Sequence, residues 1–545
     1  MMQVKIALRR NIFLRCFLIF LWSAALATVT LSDTSVSAAA PSFSQKYYVN
    51  GKLTDKIGDE LSSDVKSVQA CSETSLRYTD HAQGFSFCYP KELQPDISLS
   101  AVQTRLLSQD TQIEVYYDNF IVSNSNTRDY TYYGNRFING HAPHRVETDE
   151  RFSTGIFAVH RLKWIRPALS RIPNDRNYYA SLEIVKNSQE AYTLLIKSSK
   201  PIDFDLEVLR SFELTDRQGL PGIYRTHKPS QTRMNTETRA AFNQLFSSGA
   251  PLRWGLFDTD APERLKPIQR MEEKLGYRFP VVLRYQTFDE NLPVAGLETA
   301  RKDGKIVELT FQTVHASGIN ALYAGSEQSN QSVVYDLLDG RYDIYLRNYA
   351  AQLKSYGHPI LFRLNNEMNG DWCWYSAFYT SKDAELYQIA WRYIHKLFDE
   401  AGVDNLVWVW NPHDLSRPDF KWNHPLAYYP GDAYVDVIGL TGYNTGNYFY
   451  GESWRDFDEI YKPLYADYED WFDKPFMISE FGSNSFGGNK PAWIARMFAD
   501  FPRYPKIKVA VWWSSIDLDS KGRPGRIYLL DENESTLAAF RQGLK

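Results

Sequence analysis

From about residue 250 onward, short apolar runs alternate with stretches of helical periodicity, and this alternation limits the fold more than any other feature. The runs are "RWGLFD", "PVVLRYQTF", "KIVELTFQT", "PILFRLNNE", "LVWVWNP", "VDVIGLTGYN", "PFMISEFGS" and "KVAVWWSS". Each is rich in β-branched and aromatic residues and short enough for a strand. Between the fourth and fifth lies "DAELYQIAWRYIHKLFDEAG", in which Leu386, Ile389, Ala390, Tyr393, Ile394 and Leu397 share one face. Thr380 and Asp383 read as a capping box, and Gly402 as the stop. Eight β/α units over residues 250–545 predict an α/β fold, a closed (β/α)8 TIM barrel. An open doubly wound sheet would also alternate, but it usually carries a glycine-rich phosphate turn, and none follows the first run.

At 545 residues the chain exceeds one ordinary core. Residues 41–216 have a different texture. Runs such as "TQIEVYYDNFIV", "YYASLEIVKN" and "AYTLLIKSS" are strand signals with few helices, which predicts a smaller β-rich (α+β) N-terminal domain. "DFDLEVLRSFEL" reads as a short helix running into a strand. A carbohydrate-binding or spacer module and a purely structural domain both fit this region. Residues 217–249 read as a Gly/Pro-rich linker followed by a helix in "NTETRAAFNQLFSS".

The first 40 residues have the form of a secretory signal peptide: Lys5, Arg9, Arg10 and Arg15, then the apolar "CFLIFLWSAALATVTL", then small residues at 36–40. An uncleaved anchor is the alternative, although the apolar run is short for a span. The expectation is a secreted protein, extracellular or periplasmic, with no membrane span after cleavage, acting as a monomer. In that compartment Cys71 and Cys88 suit a disulfide, and Cys373 suits a small buried apolar position. A formal net charge of −4 argues against a nucleic-acid partner. No His/Cys/Asp cluster has metal-ligand spacing and no nucleotide motif is present, so neither metal nor cofactor is expected.

In such a barrel, functional groups gather where the strands end. The fourth run ends in Glu367, within "RLNNEMNGDWCWYS", and the seventh ends in Glu480. A lone glutamate is usually structural. Two that converge on one mouth have the arrangement of retaining glycoside hydrolysis, with one carboxylate attacking the anomeric carbon and the other protonating the leaving oxygen. The negative charge of Glu480 would raise the pKa of Glu367 and keep it able to donate. The aromatic content, 14 Trp, 36 Tyr and 31 Phe, supplies rings on which pyranose faces stack. Trp408 and Trp410 share one strand face and read as barrel packing, while His413 and Asp414 follow the fifth run near the mouth.

"GRYDIYLRNYAAQLKSYGHPILFRLNNEMNGDWCWYS", "YYPGDAYVDVIGLTGYN" and "KPFMISEFGS" resemble glycoside hydrolase family 26, a family mostly of β-mannanases with some β-glucanases and β-1,3-xylanases. The likeness covers residues 250–545. It implies a polysaccharide substrate, Glu367 as acid/base and Glu480 as nucleophile. It further implies Tyr443 steadying the nucleophile, Trp372 beside the acid/base, Trp513 as an aromatic floor with Trp512 as the fallback, and His315 as a substrate contact. Arg363 is expected beneath the carboxylates. The family normally has His before the acid/base, where this chain has Asn366, a position that bears on the sugar 2-hydroxyl and so on mannose against glucose. A β-1,4-mannanase-like endo-glycanase is the leading expectation. The alternatives are a β-glucanase, a β-1,3-xylanase, an exopolysaccharide hydrolase, or a non-catalytic polysaccharide-binding protein.

Overall fold

A computed structural model of the chain describes residues 47–49, 52–54, 64–121, 125–141, 143–316 and 330–545. The expected signal peptide lies outside the described residues. Eight parallel strands close into a barrel: β1 (Arg253–Phe257), β2 (Val281–Gln286), β3 (Ile306–Phe311), β4 (Ile360–Leu364), β5 (Leu406–Trp410), β6 (Val437–Asn444), β7 (Phe476–Ser483) and β8 (Ile507–Trp513). All eight apolar runs are strands, and β1 pairs with β8 to close the ring.

Strand alternation sorts the apolar residues into two layers. Phe257, Val281, Leu283, Leu361, Val407, Val409, Val437, Met477, Val509 and Val511 fill the barrel interior. Trp254, Val282, Leu309, Phe362, Trp408, Ile438, Ile478 and Ala510 face the surrounding helices. Trp408 packs on Phe362 and Trp391, and Trp410 on Tyr429 and Phe472, so both belong to the outer layer. The helix Thr236–Phe246 sends Leu245 and Phe246 into the interior cluster. Its cap Asn235 bonds Gly357 and Asp404, which precede β4 and β5, so this helix closes the end where the strands begin.

The helix after β4 runs Ala384–Ala401 and ends at Gly402, with φ 82°. The capping box expected at Thr380 is corrected. Asp383 is itself the N-cap, accepting from the Glu385 N–H at 3.2 Å, while the Thr380 hydroxyl turns back to the Asp383 carbonyl. After β5 the connection is made by three 3₁₀ turns, Lys421–Asn423, Pro425–Tyr428 and Asp432–Tyr434.

The N-terminal region carries a nine-stranded sheet, antiparallel but for one bridge, and a four-stranded sheet. Cys71 and Cys88 are disulfide-bonded, and Cys373 is a buried thiol. The large sheet is covered on both faces. Ala180, Leu182, Ile184, Tyr192, Leu194 and Ile196 pack with Tyr78, Phe85 and Phe87 of the small sheet and with Val208 and Leu209 of the helix Asp205–Arg210. The alternate residues meet the barrel. Lys197 places its ammonium 2.8 Å from each of Glu114, Asp383 and Glu385, and Lys382 of the barrel pairs with Glu183 of the sheet. The acidic trio would otherwise resemble a cation cage, and the lysine sits at its centre. Residues 217–235 form no helix or strand and lie against the barrel, with Arg225 paired to Asp432, and Ser230 and Thr232 bonded to Asp436. Among the described residues no helix is long and apolar enough to cross a membrane.

Candidate active site

At the C-terminal ends of the strands a cavity of about 660 Å³ opens, and both Glu367 and Glu480 line it. The way each glutamate reaches the cavity differs from what the runs suggest. β4 stops at Leu364, and Glu367 sits beyond it in a turn with φ 54°, two residues after Asn365 at φ 48°. Left-handed backbone at two non-glycine residues costs about 1–3 kcal/mol each and persists only where the surroundings over-determine it. Here they do. The Asn365 N–H bonds the Phe311 carbonyl of β3 and its side chain accepts from Thr313, while the Glu367 N–H bonds the Asn411 carbonyl just past β5 at 2.7 Å.

Glu480 lies within β7 and faces inward because of a bulge. Leu440 pairs with Ile478 and Thr441 with Glu480, leaving Ser479 as an extra residue. Ile478 faces the helices, Ser479 lies over the interior and Glu480 also points inward, before Phe481 returns to the outer layer. A bulge re-aims side chains in this way.

Glu480 accepts from three donors: Arg363 Nη2 at 2.6 Å, Tyr443 Oη at 3.2 Å, and the Tyr285 hydroxyl. The guanidinium is itself fixed by Thr310 Oγ1 at 2.6 Å and Asn411 Oδ1 at 3.0 Å. Glu367 accepts from Trp372 Nε1 at 2.8 Å. Burial first, and then the negative charge of Glu480, push the Glu367 carboxyl up to about 7, against the opposing effects of His413, Trp372 and Arg363. One carboxyl is thereby set as a proton donor near neutral pH beside a second held by three donors.

Trp513 lines the cavity, stacked on Phe257 at 5.3 Å, whereas Trp512 is buried in the outer layer with its Nε1 bonded to the Tyr528 carbonyl. Tyr443 and Trp372 also line it, and His413 stands edge-on to Trp372. Arg363 lies beneath Glu480 as expected, and two of the expected substrate contacts, Asn366 and His315, stand outside this wall. Arg363 is fully buried and meets Glu480, not the cavity surface. Asn366 is almost fully buried, its Oδ1 accepting from Gln312 and Tyr375, and it is not part of the cavity wall. His315 is outside this wall, held between Asp289 at 2.7 Å and the Tyr342 hydroxyl at 3.1 Å.

Sequence reasoning missed Tyr285, Glu308 and a charged wall in which Arg526 bridges Glu452 and Asp517. Tyr285 sits two residues past the inward Leu283, so strand alternation alone would have found it. Glu308 is the single charge inside the apolar run of β3. It is fully buried, with Arg363 Nε 3.4 Å away and no hydrogen-bond partner for either oxygen among the described residues. Burial dominates there and raises its carboxyl to about 8.

Residues 319–483, which span the turn carrying Glu367 and all of β7, match glycosyl hydrolase family 26. Over that stretch the barrel is similar to glycosyl hydrolase family 26. Among the relatives, Endoglucanase H of Acetivibrio thermocellus is 33% identical over 214 residues, covering 38% of this chain and 23% of its own length. A mannan endo-1,4-beta-mannosidase of Bacillus subtilis strain 168 is 35% identical over 143 residues, covering 25% of this chain and 34% of the relative. The chain thus spans about a third or less of the length of either relative. The modular endo-beta-1,4-mannanase of Cellulomonas fimi aligns structurally with a TM-score of 0.44 at 19% identity, over 58% of this chain and 76% of that one.

Proposed function

We propose that the barrel hydrolyses a β-linked polysaccharide with retention of configuration, Glu480 serving as nucleophile and Glu367 as acid/base. The single observation that carries this reading is the pairing at one cavity of a carboxyl raised to about 7 with a carboxylate held by Arg363, Tyr285 and Tyr443. In the first step a Glu480 oxygen bonds the anomeric carbon as the glycosidic C–O bond breaks, and Glu367 gives its proton to the departing oxygen. The ester so formed has no charge to oppose ionisation of Glu367. Its carboxylate then takes a proton from water, the water oxygen bonds the anomeric carbon, and the ester bond breaks to restore Glu480. Trp513 offers the ring against which the cleaved sugar rests, and Tyr443 steadies the attacking carboxylate.

A substrate among β-1,4-mannans and related β-glucans is supported by the names of the relatives, Endoglucanase H and mannan endo-1,4-beta-mannosidase. The Cys71–Cys88 disulfide fits a protein exported to an oxidising compartment, as the basic and apolar leader also suggests. The test is reducing-sugar release from mannan, glucomannan, mixed-linkage β-glucan and β-1,3-xylan, with proton NMR of the first anomer formed. Wild type should release the β-anomer, and Glu480→Ala should lose on the order of 10³-fold or more. Equal rates in the two proteins, or inversion, would refute the assignment.

A further inference from the structure

The turn-rich segment between β4 and the helix Ala384–Ala401 carries Glu367, and it is not held by the barrel alone. Helices α1 (Thr127–Tyr132) and α2 (Arg136–Gly140) of the N-terminal region lie against it. The Tyr133 hydroxyl, which follows α1, donates to Asp371 Oδ2 at 2.6 Å, and its ring stacks on Phe378 at 4.8 Å. Phe137 of α2 meets Phe378 at 5.0 Å and Tyr379 at 4.6 Å, and the Tyr379 hydroxyl returns to the Asp371 carbonyl. Asp371 immediately precedes Trp372, whose indole N–H makes the side-chain hydrogen bond to Glu367. The far end of the segment is fixed by the same region, where Tyr179 and Lys197 bond Asp383 and Glu183 pairs with Lys382. Ser381 and Lys382 there have left-handed backbone, so this end too depends on outside support.

A segment of turns with four left-handed non-glycine residues belongs to the low-stability end of a structure unless something outside it adds contacts. We infer that the N-terminal region is an intramolecular brace for the acid/base segment, with Tyr133 a positioning residue that acts through Asp371 and Trp372 on Glu367. This rests on the acid/base reading of Glu367. It gives the region a part in catalysis without contact to the sugar. A displacement of Glu367 by a fraction of an ångström affects proton donation and leaves the nucleophile, held from below by Arg363, in place.

The experiment compares full-length wild type, Tyr133→Phe, Asp371→Asn, Asp371→Ala and Glu367→Ala on phenyl and 2,4-dinitrophenyl β-mannobiosides and β-cellobiosides. Dinitrophenolate leaves without a proton, so kcat/KM on those substrates does not report the acid. Tyr133→Phe keeps the ring stack and should fold normally by melting temperature. It should lose about tenfold in kcat/KM on the phenyl glycosides and stay within about twofold on the dinitrophenyl ones. Asp371→Asn, which keeps an oxygen for the hydroxyl, should retain more activity than Asp371→Ala. An equal loss on both leaving groups, or none on either, overturns the brace while Glu367→Ala still shows leaving-group dependence. If Glu367→Ala shows none, or wild type cleaves no substrate, the acid/base assignment fails and the brace with it.

Discussion

Arg363 lies directly beneath Glu480, its Nη2 2.6 Å from Oε2, and the same guanidinium is 3.4 Å from the buried Glu308. One cation thus faces two acids in the floor of the cavity. Planar, always charged and many-toothed, arginine suits this place as lysine does not.

Removing that cation should be severe. Arg363→Met leaves Glu480 facing the cavity without its one charged donor and removes the cation that opposes the rise of the Glu308 pKa. Breaking a buried pair by deleting one partner costs about 3–5 kcal/mol. The melting temperature of Arg363→Met should fall by several degrees, and its kcat should drop on the order of 10²-fold. Adding Glu308→Gln should restore little stability below about pH 8, where Glu308 is already neutral, and none of the lost rate, since the reacting carboxylate is Glu480. Thermal unfolding and steady-state kinetics on the double-mutant cycle check both statements, and full recovery of the rate would contradict them.

The Glu367 carboxyl, raised to about 7, sets the alkaline limb of the pH profile. Below that pH it carries the proton the leaving group needs; above it the proton is gone, so kcat/KM should fall with a midpoint near 7. Part of the rise comes from the charge of Glu480. In Glu480→Gln, ¹³C NMR of labelled glutamate should place Glu367 below 7 yet above its ordinary value, because burial remains. An unchanged midpoint in that variant would mean the two carboxyls do not feel each other.

All eight barrel strands were legible because each is buried on both faces and reads as an apolar run. What the runs hid was local. Glu367 reads as the end of a strand, but it lies in a left-handed turn pinned by hydrogen bonds from β3 and from the residue past β5, and no residue type nearby announces φ > 0. Glu480 faces inward only because Ser479 is an extra residue in β7, a register fact invisible without its neighbours. The N-terminal strands hid a third feature. Ser181, Glu183, Thr193 and Lys197 alternate with apolar residues, a pattern shared by any sheet with one solvated face. Here the polar face is buried against Lys382, Asp383 and Tyr130, partners distant in sequence. Where polar partners come from a remote segment, a buried polar face and a solvated one share the same pattern.

Trp372→Phe isolates a single hydrogen bond. The indole N–H favours the ionised form of Glu367 and so lowers its pKa. Phenylalanine keeps a ring at the cavity wall but donates nothing. The alkaline limb of kcat/KM should therefore move upward, while the rate at its plateau falls because the carboxyl is less well aimed. A pH profile that moves downward, or a lower rate with no movement, would assign Trp372 to sugar stacking alone.

Glu308 should leave its mark on stability. Its carboxyl stands at about 8 in the folded protein, chiefly through burial, against an ordinary value near 4.5 when unfolded. Below about pH 4.5 both states hold the proton. Between there and about pH 8 the unfolded chain has released a proton that the folded one keeps, so stability from this group declines as pH rises through that window. Glu308→Gln is neutral throughout and lacks the decline, while Glu367 titrates alike in both proteins and cancels from the comparison. At pH 5 the two melting temperatures should nearly coincide, and by pH 8 Glu308→Gln should melt higher. If wild type instead gains on the variant as pH rises, Glu308 is ionised in the folded protein and acts as a true counter-charge to Arg363.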